Sequence, residues 1–245
     1  MKKNNLKILA IIGARSGSKG VVDKNIKSFL GQPLIARIIE TAHKSRYINK
    51  VIVSTDSKKY ANIAKDCGAD VPFLRPKKLS LDYSPEIEYV SHAIKWLDKE
   101  INYQPDFIVR LLPTIPLQQA NDIDSCIEKL FNDSKADSAV VISEARQHPM
   151  KSLKIIKDSD GKEKLVTYFS NSGRKVTPIS RQSYDKAYFR SNVIVFKRNT
   201  LLKTKSLTGD IVRFHEIEQE RSIDIDSELD FIIAEYLYTN YLKRE

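Results

Sequence analysis

Residues 13–25 read GARSGSKGVVDKN, directly after the apolar run Leu6–Ile12 and before a helical pattern. Glycines let a backbone approach a ligand closely, and successive N–H groups can cradle an anion. Arg15, Lys19 and Lys24 add three cations to this loop, a combination that suits a triphosphate. The spacing satisfies neither G-x-x-x-x-G-K-[ST] nor G-x-G-x-x-G, so it is neither a P-loop nor a dinucleotide fingerprint. Near the other end of the chain, IDID at Ile223–Asp226 reads as a short strand. Its two aspartates, Asp224 and Asp226, then face the same side. Two hard carboxylates in this arrangement can bind a hard divalent cation. Helix capping is the alternative for Asp226, because Asp226-Ser227 precedes a helical stretch.

The elements that must hold these groups alternate along the chain. Apolar β-branched runs at Leu6–Ile12, Lys50–Ser54, Val71–Leu74, Phe107–Leu112 and Ser138–Ile142 read as strands. Between them, helical periodicity marks Leu34–Ala42, Lys58–Cys67 (with Gly68 as its stop), Glu86–Glu100 and Ala120–Asn132. Such alternation predicts an α/β fold, a mostly parallel sheet in three layers with helices on both faces. Ligands of such sheets sit beyond the carboxyl ends of the strands. The loops at 13–20, 54–57 and 113–116 should therefore share one crevice. After Glu144 the rhythm changes. A turn signal, DSDGK at Asp158–Lys162, lies in a β-rich excursion over 145–190, and Asn192–Phe196 then resumes the core. Glu228–Leu242 is a last amphipathic helix. We read 1–245 as one domain.

Composition sets the outer bounds. The 245 residues carry 41 Lys+Arg against 31 Asp+Glu, a net charge of +10, with 41% hydrophobic residues. That hydrophobic share supports an ordinary core and excludes a disordered chain. The lysines are spread evenly, without a basic run or nucleic-acid-binding signature, so no nucleic-acid partner is expected. The excess suits an anionic small-molecule ligand, which a one-signed cleft concentrates. Two cysteines, Cys67 and Cys126, form no disulfide framework and read as core thiols of a reducing compartment. No apolar run reaches the roughly 18–20 residues of a membrane helix, and the N-terminus lacks a signal-peptide pattern. We therefore expect a cytoplasmic protein. His43, His92, His148 and His215 have no metal spacing.

Further segments carry a family resemblance. GARSGSKGVVDKN resembles the A-R-x-x-S-K-G-x-x-x-K-N signature of the cytidylyltransferases that activate sialic acid and related nine-carbon 2-keto-3-deoxy acids. VIVSTDS at Val51–Ser57, FLRPKKLSLD at Phe73–Asp82, LLPTIPL at Leu111–Leu117, RQHPMKSLK at Arg146–Lys154, Arg181-Gln182 and IDIDSELDF at Ile223–Phe231 are similar to its further motifs, in the family's order. The resemblance implies a Rossmann-like nucleotidyltransferase that joins CTP to a sugar acid and releases pyrophosphate. It places Arg15, Ser18, Lys19, Lys24 and Asn25 on the CTP phosphates and base, with Arg15, Lys19 and Asp226 carrying the chemistry. Arg75 adds a nucleotide contact. Ser84 stands near a nucleotide-contacting serine, although capping before Pro85-Glu86 explains it equally well. Asp224 and Asp226 become Mg²⁺ ligands, while Asp230 reads as a helix-surface or capping residue. Lys151 and Arg181 match positions that bind sugar or phosphates, in some members from a partner subunit, and 145–190 resembles a dimerisation segment of a homodimer.

The departures cluster on the sugar side. Leu112 stands where the family usually has a sugar-contacting glutamine, Ile115 where it has serine, and FRSNVIVF at Phe189–Phe196 where it often has N-G-A-I-Y. A relative of sialic acid, of legionaminic or pseudaminic type, is the expected nonulosonic acid. The alternatives are an eight-carbon 3-deoxy sugar acid and a non-catalytic nucleotide-sugar-binding protein on the same fold.

Overall fold

The structure is a computed structural model and describes residues 6–169 and 184–241. Its centre is a six-stranded sheet of order β10-β6-β9-β5-β1-β4. These strands are β1 (Ile8–Gly13), β4 (Lys50–Ser54), β5 (Phe107–Leu111), β6 (Ser138–Glu144), β9 (Tyr188–Lys197) and β10 (Val212–Ile217). All neighbours are parallel except β9, which runs antiparallel to both β5 and β6. The chain reaches β9 from the β-rich excursion, not through a crossover helix, so the right-handed βαβ rule does not govern it.

The sheet is buried on both faces, which is why β1 and β4 read as continuous apolar runs. Ile8, Ala10 and Ile12 pack with the apolar sides of α1 (Leu34–His43), α2 (Lys58–Asp66) and α4 (Ala120–Asn132). Leu9 and Ile11 face the other way, into α3 (Glu86–Ile101) and α5 (Arg198–Thr204). A smaller cluster joins Phe29 and Leu34 to Ile223, Ile225 and Phe231 and seats α6 (Glu228–Asn240) beside β1's following loop. The three-layer α/β expectation holds.

Two predicted strands are absent. Val71–Leu74 forms no strand; only Asp70 bridges Ile52 before the chain turns through Pro72. Ile223–Asp226 joins no ladder either, although Ile225 N–H donates to Thr114 O at 2.8 Å and the segment keeps alternate burial. The DSDGK turn closes a hairpin of β7 (Leu153–Lys157) and β8 (Glu163–Thr167), as expected. A two-residue pair, β2 (Ser28–Phe29) with β3 (Gln32–Pro33), leads into α1. α5, β2, β3 and β10 are elements that the sequence reading does not predict.

Candidate active site

A crevice of about 400 Å³ opens at the carboxyl ends of β1 and β5. It is lined by Arg15, Ser18, Lys19, Gly20, Lys24, Asn25, Arg75, Ser84 and Asp226, so most of the sequence-predicted nucleotide site converges there. The 54–57 loop supports it from behind. Ser16 N–H and Oγ donate to the two Asp56 carboxylate oxygens, each at 2.8 Å. Burial pushes the Asp56 carboxyl up, but the Ser16 hydrogen bonds and the Arg75 charge outweigh it and hold the group below its ordinary value.

The loop cations are matched by the protein's own carboxylates. Arg15 Nη1 lies 3.0 Å and Lys19 Nζ 2.5 Å from the two oxygens of Asp82. Lys24 Nζ stands 3.1 Å from Asp226 Oδ1 and also donates to Ile225 O. Asn25 is buried and its amide donates to Arg15 O at 3.0 Å, so it holds the loop's shape from within. Arg75 is buried too. Its Nε donates to Ser54 Oγ at 3.0 Å and its Nη2 to Ser54 O, and its guanidinium covers the Tyr89 ring at 4.3 Å. Desolvation lowers the Arg75 pKa from its ordinary value. Ser84 does not cap α3. Its Oγ accepts from Leu81 N–H and donates to Lys78 O, both at 3.2 Å, which fixes the turn before that helix.

Asp224 and Asp226 flank buried Ile225 and are both exposed. Asp226 is not the cap of α6. Ser227 and Asp230 form the capping box there, the role expected of Asp230. Crowding by protein raises the Asp224 carboxyl above its ordinary value and the Asp226 charge adds to this, against a hydrogen bond from Thr114. Asp226 lines the crevice and Asp224 does not, and the two carboxylates on either side of Ile225 offer a divalent cation oxygen donors. Among the described residues no group of three or more His, Cys, Asp or Glu could hold a metal alone. A hard cation here would take two carboxylates and complete its shell with ligand phosphates and water, as Mg²⁺ does.

Not every predicted residue reaches the crevice. Lys151 is exposed on a short turn, Pro149–Lys151, and does not line it. Arg181 lies outside the described residues. Leu112 does line it. His148 is structural: it stacks on Tyr184, Nε2 contacts Asp185 O at 2.8 Å, and Nδ1 accepts from Met150 N–H. Cys126 is buried in α4, and partly buried Cys67 caps α2.

The crevice also holds groups that the sequence did not single out. Tyr89 and Glu86 come from the start of α3, Thr114 from the loop after β5, and Asp82 from the loop before α3. Asp82 closes the FLRPKKLSLD segment, so its position was visible without its role. Glu86 meets Arg110 of β5, whose buried cation inside an apolar strand was a signal available in FIVRLL.

A family model described as "Cytidylyltransferase" matches residues 9–244. The chain belongs to the cytidylyltransferase family. Its members are CTP-dependent nucleotidyltransferases. The chain is 33% identical over 231 residues to "Post-translational flagellin modification protein B" of Campylobacter coli, covering 94% of each chain. It is 31% identical to "CMP-N,N'-diacetyllegionaminic acid synthase" of Campylobacter jejuni, again over 94% of each. It is also 31% identical to "N-acylneuraminate cytidylyltransferase" of Escherichia coli, over 93% of this chain but only 51% of that longer protein. Among solved structures, a CMP:2-keto-3-deoxy-manno-octonic acid synthetase complexed with CTP shares the fold, with a TM-score of 0.69, 14% identity and coverage of 95% and 98%.

Proposed function

We propose that this cytidylyltransferase transfers CMP from CTP to the anomeric hydroxyl of a nine-carbon 2-keto-3-deoxy sugar acid of sialic, legionaminic or pseudaminic type, with Mg²⁺ at Asp224 and Asp226. The observation that carries the reading is the convergence of Arg15, Lys19, Lys24 and Asp226 on one crevice in a chain of this family. The names of the relatives support the class of sugar.

In this reading the loop cations exchange their own carboxylates for phosphate oxygens. Arg15 and Lys19 leave Asp82, and Lys24 leaves Asp226. The sugar's anomeric oxygen attacks the α-phosphorus in line, the bond to the β-phosphate oxygen breaks, and pyrophosphate leaves with that electron pair while the hydroxyl gives up its proton. No protein nucleophile is needed. Fixed cations aimed at the growing negative charge supply the rate, through positioning and electrostatics. Bound at the two aspartates, Mg²⁺ would supply charge neutralisation on the phosphates.

Sugar selection falls to the Leu112 side of the crevice. Apolar Leu112 cannot offer the hydrogen bonds of a glutamine, which favours a sugar other than sialic acid itself. We further propose a homodimer built on 145–190. The hairpin and its flanks expose Leu153, Ile155, Leu165, Tyr168 and Phe169, apolar surface that a second copy would cover. Lys151, which is exposed, would then reach a partner's crevice, and by the family resemblance so would Arg181. A cytoplasmic site, where CTP is made, agrees with two free cysteines and with the absence, among the described residues, of any helix long and apolar enough to cross a membrane.

The test is pyrophosphate release with Mg²⁺ and CTP against a panel of nine- and eight-carbon keto-acid sugars. Release with legionaminic- or pseudaminic-type acids ahead of sialic acid is expected. Preference for sialic acid would overturn the sugar assignment, and an eight-carbon preference the proposed class.

A further inference from the structure

Two chemically distinct sets of side chains line the crevice. Arg15, Lys19, Lys24 and Asp226 are charged. Leu79, Leu81 and Tyr89 are apolar or aromatic, with Ser84 and Glu86 beside them in the chain. A triphosphate takes the cations, so a planar base with apolar faces is left to the leucines and the tyrosine. Cytosine differs from uracil at one edge position, an amine in place of a carbonyl. A site that distinguishes them needs an acceptor there.

Three carboxylates line the crevice: Asp82, Asp226 and Glu86. The first two are matched to the phosphate-loop cations. Glu86 is bound instead by Arg110, Nη2 to Oε2 at 3.0 Å. Arg110 is an unusual residue for its place. It sits in the central strand β5 and is 3% exposed, beside Ile108 and Ile194 of the apolar layer. Its Nη1 donates to Asn192 O at 2.9 Å, and its Nε has no partner among the described residues. A buried cation is expensive unless paired, so Arg110 secures a counter-charge at one point in space. That point is the Glu86 carboxylate, part-exposed at the crevice wall. It stands in the first turn of the 16-residue α3.

We propose that Glu86, fixed by Arg110, reads the nucleobase: its carboxylate accepts a hydrogen bond from the exocyclic amine of cytosine and repels the carbonyl of uracil. This rests on the reading that the crevice binds CTP. Carboxylates pair with the cytosine amine in this sense elsewhere in recognition chemistry. A site built for a hydrogen bond rejects the analogue that cannot make it, because its polar group is left unpaired. Tyr89, 4% exposed and stacked under Arg75, lines the same crevice.

The test uses E86Q and E86A in the full chain, with CTP and UTP compared in nucleotide-binding titrations and in pyrophosphate release. An amide offers uracil a donor, so E86Q should lower the CTP-to-UTP preference about 10- to 100-fold, the range of a lost charged hydrogen bond. Part of that change should come as a gain for UTP. E86A should lose CTP affinity without gaining UTP. The KM for the sugar acid should not move in either. Glu86 is part-exposed at a helix start, and a cooperative melt checks that both variants fold. An unchanged CTP-to-UTP ratio in folded variants overturns the proposal, as does an effect confined to the sugar's KM. Wild-type protein that binds neither nucleotide would instead overturn the reading of the crevice, and this inference with it.

Discussion

A Cβ placed on Gly20 would stand 2.1 Å from the carbonyl oxygen of Asp226. The phosphate loop and the aspartate segment are therefore in backbone contact, and only glycine permits it. This close approach also puts Lys24 Nζ within reach of Ile225 O and Asp226. The substitution G20A forces one backbone away from the other. Overpacking of this kind costs about 1–3 kcal/mol. More of the effect should fall on activity, since loop cations and Asp226 must hold one geometry. We expect pyrophosphate release to drop at least about 100-fold, the sensitivity of catalysis to a displacement of about 1 Å, with a melt lowered by only a few degrees. Full activity in G20A would show that the two segments need not touch.

Asp82 makes the opposite kind of contact. It pairs with Arg15 and Lys19, and the Lys19 hydrogen bond holds its carboxyl below the ordinary value. A triphosphate must displace it from both. D82N removes the competing charge while keeping the shape. Expected is CTP binding that tightens several-fold in a calorimetric titration, with a steeper loss of affinity on adding salt. Weaker binding in D82N would mean that Asp82 orders these cations for the ligand and does not compete with it.

The contrast between these residues shows how much of the site the sequence displays. Gly20, Lys24 and Asp226 could be named because residue type alone suggests chemistry: small residues and cations in a loop, and carboxylates two apart. Asp82, Glu86 and Arg110 do their work through partners distant in sequence, and no local pattern announces a pairing across 67 positions such as Arg15 with Asp82. The same division runs through the fold. α4 and β4 were found to the residue because they are strongly periodic or wholly apolar. β10, VRFHEI, lies at the sheet edge with mostly exposed residues and has no such signature. Val71–Leu74 has strand composition, yet Pro72 has no N–H to give to a ladder and the segment stays outside the sheet, with the preceding Asp70 alone bridging Ile52. The antiparallel sense of β9 depends on how the excursion returns, which β propensity does not encode.

Asp56 gives a pH dependence with a definite sign. Its folded-state pKa lies below the unfolded value of 3.8. The stability it contributes is therefore complete above 3.8 and is lost as pH falls through the folded value. In D56N that contribution is absent throughout. Wild type should exceed D56N in unfolding free energy by a constant margin near neutral pH, and the two curves should close together in the acid limb below 3.8. Urea titrations at a series of pH values measure this. A margin that grows on acidification would contradict the assigned role of the Ser16 hydrogen bonds.

Among the described residues, a deeply buried ion pair joins Arg221 to Asp122. Arg221 Nη1 and Nη2 donate to the two Asp122 carboxylate oxygens at 2.7 and 3.1 Å, and both residues are buried. Asp122 also accepts from Gln118 Nε2 at 2.5 Å and from Gln119 N–H at 2.9 Å. Gln118 Oε1 in turn accepts from Ser191 Oγ, and the adjacent Asn192 donates to Thr114 Oγ1 at the crevice wall. One network thus ties the start of α4 to β9 and the loop after β5. R221M leaves the Asp122 charge buried without its guanidinium and should cost about 3–5 kcal/mol in urea unfolding. Removing the second charge as well, in D122N with R221M, should recover a large part of that loss, because the penalty comes from the unpaired ion. Pyrophosphate release should remain impaired in the double variant even as stability returns, since Gln118 has lost its charged anchor and Thr114 its fixed neighbour. Equal recovery of both would reduce the network to a stability role.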